Sequence, residues 1–153
     1  MPVIKAGRKR VLLVDDEVLI HRAIDRAASE VGIEVIHAMT AMSGVELAVE
    51  KRPDLIVLDM TMPDLDGIQV LDRLKRAPQT SSIPVLIYSA RSDHDDRIAA
   101  FRIGADDYFE KPFDLGMLMR RIEHHIFKAS ETMRTSGPSR PADDTVPYVK
   151  RLG

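Results

Sequence analysis

Short apolar runs alternate with longer amphipathic segments along the central part of the chain. Each run consists mostly of branched or aromatic residues between charged or turn-forming residues, which is typical of a buried β-strand. The run Leu55–Leu58, for example, lies between Asp54 and Asp59. The pattern predicts five strands, at residues 11–14, 34–38, 55–59, 83–88 and 107–110.

Between the strands, apolar residues recur at the spacing of an α-helix. Gly32 and Gly104 follow the first and fourth of these segments, where glycine commonly ends a helix, and Asp114 can cap the last one. Helices are predicted at about 19–31, 41–52, 68–77, 93–103 and 114–128. Five alternating strand–helix pairs predict an α/β domain, with a doubly wound parallel sheet, right-handed crossovers and helices on both faces.

The two ends of the chain lack this pattern. We expect residues 1–8 to form a lead-in to the first strand and residues 9–128 to form the domain. Residues 129–153 contain the run SGPSRP and few large apolar side chains, which predicts a flexible tail or linker. We expect no DNA-binding or enzymatic output domain in this segment, because it is too short to hold one.

The composition is that of an ordinary globular protein. Hydrophobic residues make up 44% of the 153 residues and charged residues 30%, which suits one domain with a full core. The 22 basic and 24 acidic side chains leave a net charge of -2, so charge gives no reason to expect nucleic acid or an anionic membrane as a partner. There is no cysteine, and no apolar run approaches the roughly 20 residues of a membrane span. We therefore expect a cytoplasmic protein.

Acidic residues follow the first and third predicted strands. Asp15 and Asp16 come directly after the first, and Asp59 ends the third. An open doubly wound sheet binds ligands at the carboxyl ends of its strands, and in the strand order 2-1-3-4-5 the switch point lies between strands 1 and 3. Three carboxylates there repel one another unless a cation neutralises them, and Mg²⁺ prefers oxygen ligands. A magnesium site is therefore expected, although Asp59 taken alone is equally compatible with capping the following turn.

Two further polar residues follow strands at the same edge, Ser89 after the fourth and Lys111 after the fifth. Taken singly, each has an ordinary interpretation, Ser89 as a strand-end cap and Lys111 as a solvated surface cation. His21 and His37 have no partner at metal-ligand spacing, so we interpret both as packing or surface residues. With no cysteine and no tight histidine pair, the sequence argues against a zinc site.

A set of short motifs follows the strand ends in order. These motifs are Asp15-Asp16, Asp59, Met62-Pro63, Asp66-Gly67, Ser89-Ala90, Gly104-Ala105-Asp106-Asp107-Tyr108 and Lys111-Pro112-Phe113. Over residues 9 to about 128, the chain resembles the receiver domain of two-component response regulators. The resemblance implies a flavodoxin-like fold and the transfer of a phosphoryl group to Asp59 from a histidine kinase or a histidine phosphotransfer protein. It also implies a cis Lys111–Pro112 bond and Mg²⁺ held by Asp15, Asp16, Asp59 and the backbone carbonyl of Thr61.

The resemblance assigns roles to the residues around the phosphoryl group. Mg²⁺ offsets its negative charge, Lys111 reaches a second oxygen and Ser89 donates to the third. Movement of Ser89 toward the phosphoryl group vacates space that Tyr108 fills by rotating inward. The expected output is a changed surface on helix 4, strand 5 and helix 5, where a downstream protein or a second copy of the chain docks. The protein would catalyse only its own phosphorylation and dephosphorylation.

Two positions are expected to tune the lifetime of the phosphorylated state. Thr61 and Arg91 lie two residues after Asp59 and Ser89 and flank the expected path of the hydrolytic water. We predict that replacing both changes the rate of dephosphorylation more than the yield of phosphorylation, as measured by the decay and the final level of phosphorylated protein. Equal effects on the two quantities would contradict this assignment.

Three other interpretations stay open at this point. The chain could be the receiver segment of a longer regulator with a DNA-binding or enzymatic output domain, which a longer natural reading frame would show. A haloacid-dehalogenase-type phosphohydrolase also uses a strand-end aspartate with Mg²⁺, but it needs a second acid two residues later, where this chain has Thr61. A flavodoxin-like flavin carrier needs a phosphate loop rich in serine, threonine or glycine after strand 1, where this chain has Asp15-Asp16-Glu17.

Overall fold

The five strands form one parallel sheet in the order β2-β1-β3-β4-β5. The computed structural model describes residues 7–90 and 94–134. Its elements are β1 (Arg10–Val14), α1 (Val18–Glu30), β2 (Glu34–Ala38), α2 (Ala41–Lys51), β3 (Leu55–Asp59), α3 (Gly67–Arg76), β4 (Val85–Ser89), α4 (His94–Ile103), β5 (Asp107–Glu110) and α5 (Leu115–Arg134). The predicted fold class, a flavodoxin-like doubly wound sheet with five helices, is confirmed.

Two boundaries differ from the sequence prediction by more than one residue. β4 begins at Val85 rather than at residue 83, because Pro84 has no N–H with which to pair. α5, predicted to end near residue 128, continues to Arg134. The apolar periodicity fades after Ile126, but no glycine or proline interrupts the chain before Gly137-Pro138. The predicted lead-in, residues 1–8, and the predicted tail, residues 129–153, lie mostly outside the described residues, and both stay predictions.

The sheet separates two apolar layers because alternate residues of each strand face opposite sides. On one side, residues such as Leu12, Ile56 and Ile87 pack against α2, α3 and α4. On the other side, residues such as Leu13 and Val57 pack against α1 and α5. β3 and β4 are buried along their whole length, so the sheet is held rigidly where its carboxyl ends meet.

α4 is the helix that the core holds least firmly. The structure describes every residue of this helix, and among them only Ala100 is buried. Ile98 and Phe101, which supply apolar positions of this helix in the sequence pattern, are 39% and 44% exposed. Apolar side chains therefore remain on the outer surface of α4.

Gly67 allows α3 to begin directly beneath the end of β3. A Cβ atom at this position would lie 2.6 Å from Cα and 2.8 Å from the carbonyl oxygen of Met60. The preceding Asp66 caps the helix, since its carboxylate accepts a hydrogen bond from the backbone N–H of Ile68 at 3.2 Å. This close approach fixes the path of the chain between Asp59 and α3.

Gly67→Ala is expected to lower the free energy of unfolding by about 1–3 kcal/mol, because the new methyl group overlaps backbone atoms that cannot move aside. Urea denaturation measures this change. Gly116→Ala is the matched control, since a Cβ atom at Gly116 would meet its nearest neighbour at 3.6 Å. Similar stability of the two variants would show that the Met60 backbone yields easily.

Candidate functional site

Three carboxylates converge at the carboxyl edge of the sheet, as the strand ends predict. Each of Asp15, Asp16 and Asp59 offers an oxygen that lies within 4.8 Å of the others. Asp15 and Asp59 are buried, whereas Asp16 is exposed. Burial raises the pKa of Asp59 above its ordinary value, and a backbone hydrogen bond from Thr61 and the charge of Lys111 offset only part of that rise. The site is therefore one in which added positive charge is favourable.

Lys111 supplies one positive charge to this cluster. Its Nζ lies 3.3 Å from Oδ2 of Asp59 and 3.8 Å from Oδ2 of Asp15. The residue follows β5, where its backbone N–H donates to the carbonyl oxygen of Ser89 at 2.8 Å. The Lys111–Pro112 peptide bond is cis, as expected. Fixed in this way by its backbone, Lys111 directs a mobile ammonium group at two acids.

Thr61 holds the phosphoacceptor candidate from the opposite side. Its backbone N–H and its hydroxyl both donate to Oδ1 of Asp59, at 3.0 and 3.1 Å. An antiparallel bridge between Thr61 and Asp66 closes the loop that follows β3. Asp59 is thus oriented with one oxygen bound by Thr61 and the other facing Lys111.

A cavity of about 680 Å³ opens beside the acids. Asp16, Thr61 and Gln69 are among the residues that line it. The loop between β3 and α3 forms most of its wall, so Asp16 and Thr61 can be reached from solvent. The cavity is large enough for a phosphoryl group beside Asp16 and Thr61.

The structure places the predicted switch residues as follows. Ser89 ends β4 and is fully buried, with its carbonyl oxygen bound to Lys111. Tyr108 is 5% exposed, and its ring centroid lies 6.4 Å from that of Phe101 and 5.1 Å from the guanidinium carbon of Arg97, both on α4. Tyr108 is therefore buried beside α4, and its role as a switch stays a prediction. Arg91 lies outside the described residues.

Tyr88 belongs to the site although the sequence analysis missed it. Its hydroxyl donates to Oδ2 of the buried Asp15, and its ring lies 4.7 Å from Nζ of Lys111. Burial, and then the hydrogen bond to Asp15, raises the pKa of Tyr88 and keeps the phenol protonated as a donor. A signal was present, because a tyrosine in a strand buried on both faces needs a partner for its hydroxyl.

Tyr88→Phe is expected to lower the free energy of unfolding by roughly 1–3 kcal/mol without Mg²⁺, because buried Asp15 loses a donor. The loss should shrink at saturating Mg²⁺, since a divalent cation compensates a carboxylate that lacks its hydrogen bond. Urea denaturation with and without Mg²⁺ measures both. Tyr108→Phe removes the hydroxyl of a buried tyrosine beside Phe101 of α4, outside the cluster of Asp15, Asp16 and Asp59, and its effect should not depend on Mg²⁺. A loss for Tyr88→Phe that is identical in both buffers would contradict the coupling.

The interpretation of His21 and His37 as isolated residues is wrong. Their Nδ1 atoms lie 2.7 Å apart, although 16 residues separate them in sequence. Parallel pairing of β1 with β2 brings His37 opposite Leu13, close to the start of α1. Sequence spacing alone could not reveal this pair, because it depends on strand register.

Fold and site together define the class of protein. It has a flavodoxin-like fold in which three carboxylates and the ammonium group of Lys111, rather than a phosphate-binding loop, lie at the carboxyl edge of the sheet. A family model described as the response regulator receiver domain matches residues 11–123. The chain belongs to this family and so to two-component signalling. Receiver domains are in general not enzymes that act on a separate substrate. The phosphohydrolase and flavin-carrier interpretations are set aside by this result.

The curated proteins that match this chain are consistent with its place in this family. The chain is 39% identical over 142 residues to the KDP operon transcriptional regulatory protein KdpE of Escherichia coli, covering 93% of this chain and 62% of that protein. It is 35% identical over 130 residues to the phosphate regulon transcriptional regulatory protein PhoB of Pseudomonas aeruginosa, covering 85% of this chain and 54% of that protein. The chain thus spans little more than half the length of these relatives.

Solved structures show the same fold. A CheY-like receiver domain protein from Methanospirillum hungatei superposes with a TM-score of 0.77 at 22% identity, over 82% of this chain and 98% of that one. The receiver domain of a Francisella response regulator gives a TM-score of 0.73 at 32% identity, over 80% and 99%. Within residues 7–90 and 94–134, no helix has both the length and the apolar character of a membrane span.

The donor set at the sheet edge fits Mg²⁺. Three carboxylates within 4.8 Å of one another offer only oxygen atoms, which are the ligands that Mg²⁺ prefers. Receiver domains depend on Mg²⁺ in general. The raised pKa of Asp59 supports the same conclusion, because an acid whose ionisation is disfavoured by burial gains from a nearby cation.

Proposed function

We propose that the chain is a signalling switch in which Asp59 accepts a phosphoryl group from the histidine of a histidine kinase or a histidine phosphotransfer protein. The observation that supports this proposal most strongly is the placement of Asp59, which is buried at the sheet edge with Lys111 Nζ at 3.3 Å and Asp15 and Asp16 beside it. An isolated capping aspartate would need neither the ammonium group nor the second and third acids.

In the proposed reaction, a carboxylate oxygen of Asp59 attacks the phosphorus of the donor phosphohistidine. A P–O bond forms, the P–N bond breaks, and its electron pair returns to the imidazole of the donor. Thr61 keeps the carboxylate oriented through its two hydrogen bonds, and Lys111 stabilises negative charge on the transferred oxygens. Mg²⁺, held by Asp15, Asp16, Asp59 and the backbone carbonyl of Thr61, would neutralise further negative charge there.

Dephosphorylation would use the same groups. Water attacks the phosphorus, the P–O bond to Asp59 breaks, and inorganic phosphate leaves with the carboxylate restored. Thr61 is exposed at the rim of the cavity, and its hydroxyl already contacts Asp59. This position supports its proposed role, together with Arg91, in tuning access of the hydrolytic water.

The proposed output is a change in the surface formed by α4, β5 and α5. Ser89 ends β4, the strand that lies between β3 and β5, and Tyr108 of β5 contacts Phe101 of α4. At the other end of β5, Arg121 of α5 binds Asp107 at 2.9 and 3.1 Å. Burial raises the pKa of Asp107, but hydrogen bonds from Arg121 and His125 outweigh it and hold the pKa below its ordinary value. Because β5 and α5 are held together in this way, α4 is the element of this surface that can move. To move the protein almost completely from one conformation to the other, phosphorylation must stabilise the second by roughly 5 kcal/mol relative to the first.

The partner that reads this surface is either a separate protein, including a second copy of the chain, or an output domain of a longer regulator. The second possibility is favoured by one observation, which is that the chain covers only 62% of KdpE and 54% of PhoB, both transcriptional regulatory proteins. In that case the surface would contact a neighbouring output domain or mediate dimerisation.

The test is phosphorylation of the purified chain by acetyl phosphate in the presence of Mg²⁺. A phosphate-affinity gel should show a retarded band that disappears when EDTA is present, and fragment mass spectrometry should locate the phosphoryl group on Asp59. The bond should also be labile to hydroxylamine, as an acyl phosphate is. Absence of the band, or a phosphoryl group on another residue, would refute the proposal.

A further inference from the structure

His21 of α1 and His37 of β2 form a second cluster of metal-ligating atoms that the phosphorylation chemistry does not use. Their Nδ1 atoms are 2.7 Å apart and their ring centroids 4.9 Å apart. His21 is 6% exposed, whereas the side chain of His37 is 38% exposed on the edge strand of the sheet. The pair therefore combines one fixed ring with one that has room to move.

The outer nitrogens of the two rings define where the hydrogens lie. Nε2 of His21 is 2.7 Å from the carbonyl oxygen of Asp15, which can only accept, so this nitrogen donates. Nε2 of His37 is 3.3 Å from a carboxylate oxygen of Asp25, another acceptor. If both Nε2 atoms carry hydrogen, two neutral rings point the lone pairs of their Nδ1 atoms at each other. A cation between the Nδ1 atoms removes this repulsion.

We propose that His21 and His37 bind a divalent transition-metal ion, with Zn²⁺ as the first candidate, through their Nδ1 atoms. Imidazole nitrogen suits Zn²⁺, Ni²⁺ and Cu²⁺ and does not attract Mg²⁺. Tetrahedral Zn²⁺ with Zn–N bonds of ~2.0–2.1 Å needs the two nitrogens about 3.3 Å apart, so the rings must separate by about 0.6 Å. A cavity of about 260 Å³, lined by Val18 and Met39 among others, borders both rings and gives His37 this space. Water completes the coordination.

The surroundings of the pair match those of metal-binding histidines in general. A ligating imidazole usually donates its other N–H to a carboxylate or a backbone carbonyl, which fixes the ring and raises its basicity. Asp25 does this for His37 and the Asp15 carbonyl does it for His21. Both rings are thus oriented before any ion arrives. The ion would be held by nitrogen atoms and is separate from the carboxylates that fit Mg²⁺.

The experiment is titration of the full chain with ZnCl₂ in excess Mg²⁺, which keeps the carboxylate cluster occupied. Isothermal calorimetry gives affinity and stoichiometry, and long-range ¹H–¹⁵N spectra of the imidazoles report which nitrogens change. His37→Ala is the test variant, because His37 is partly exposed and its loss leaves the core intact. His124→Ala is the matched control, since His124 is exposed on α5. Asp25→Asn tests the contact between the Asp25 carboxylate and Nε2 of His37.

The wild-type chain should bind Zn²⁺ with changes confined to the Nδ1 resonances of His21 and His37 while both Nε2 atoms stay protonated. His37→Ala should weaken this binding at least tenfold, Asp25→Asn by about tenfold, and His124→Ala should leave it unchanged. Nδ1 resonances that do not respond to Zn²⁺ would show that a shared proton alone bridges the rings and would overturn the proposal. Equal binding by His37→Ala would overturn it as well. Neither result bears on phosphorylation of Asp59.

Discussion

Asp59→Asn is expected to abolish phosphorylation by acetyl phosphate, with no retarded band on a phosphate-affinity gel under conditions where the wild-type chain is fully labelled. The amide oxygen is a much weaker nucleophile than a carboxylate oxygen, and no neighbouring acid can replace it in the same position. Asp15 has Oδ1 bound by the Glu17 N–H at 2.6 Å and Oδ2 bound by the Tyr88 hydroxyl. Asp16 is exposed, so it lacks the buried setting of Asp59, and the two hydrogen bonds from Thr61 orient Asp59 alone.

Asp72→Asn is the matched control for this experiment. Asp72 lies on α3, pairs with Arg76 at 3.0 Å and is not one of the three acids that converge at the sheet edge, so its loss should leave labelling unchanged. Circular dichroism of both variants verifies that they are folded. Full labelling of Asp59→Asn would show that another side chain is the acceptor and would remove the basis of the proposed function.

Lys111→Met should slow phosphorylation by about 100-fold at saturating Mg²⁺, which is the usual effect of removing one preorganised charge from a transition state. Two physical effects act in the same direction. The ammonium group no longer stabilises negative charge on the phosphoryl oxygens, and the pKa of Asp59 rises further because the charge of Lys111 lowers it in the wild-type chain. The ionised carboxylate that attacks the phosphorus is then less favoured.

The rate of label incorporation in rapid-quench samples measures this effect. Lys51→Met is the matched control, since Lys51 is an exposed lysine at the end of α2 and its loss should not change the rate. A Lys111→Met rate equal to that of the wild-type chain would exclude a role for the ammonium group in transfer.

The sequence was sufficient for the architecture because each strand contains its own signal. Runs such as Val11–Val14 and Leu55–Leu58 are apolar at every position, as strands buried on both faces must be. Asp15, Asp16 and Asp59 follow such runs directly, so a parallel arrangement brings them to one edge whatever the details of packing. The same reasoning placed Lys111 there, and the structure brings it to 3.3 Å from Asp59.

Contacts that depend on strand register were not predictable from the same signals. Tyr88 lies opposite Asp59 in the pairing of β3 with β4, which is why its hydroxyl reaches the acidic cluster. His37 lies opposite Leu13 in the pairing of β1 with β2, and this places its ring against that of His21. In both cases the partners are far apart in sequence and their types suggest no pairing. The structure was needed to find them.

Because α4 buries only Ala100, the proposed partner surface is structurally separate from the proposed phosphorylation site at Asp59. Because the core contains one alanine of this helix, its outward residues can be exchanged during evolution without disturbing either the folding of the sheet or the acids at its edge. Under the proposed function, Ile98 and Phe101 can change to suit a particular partner protein, while the residues around Asp59 keep the same reaction. Under that function, the chain can therefore acquire a different partner protein through substitutions on α4 alone.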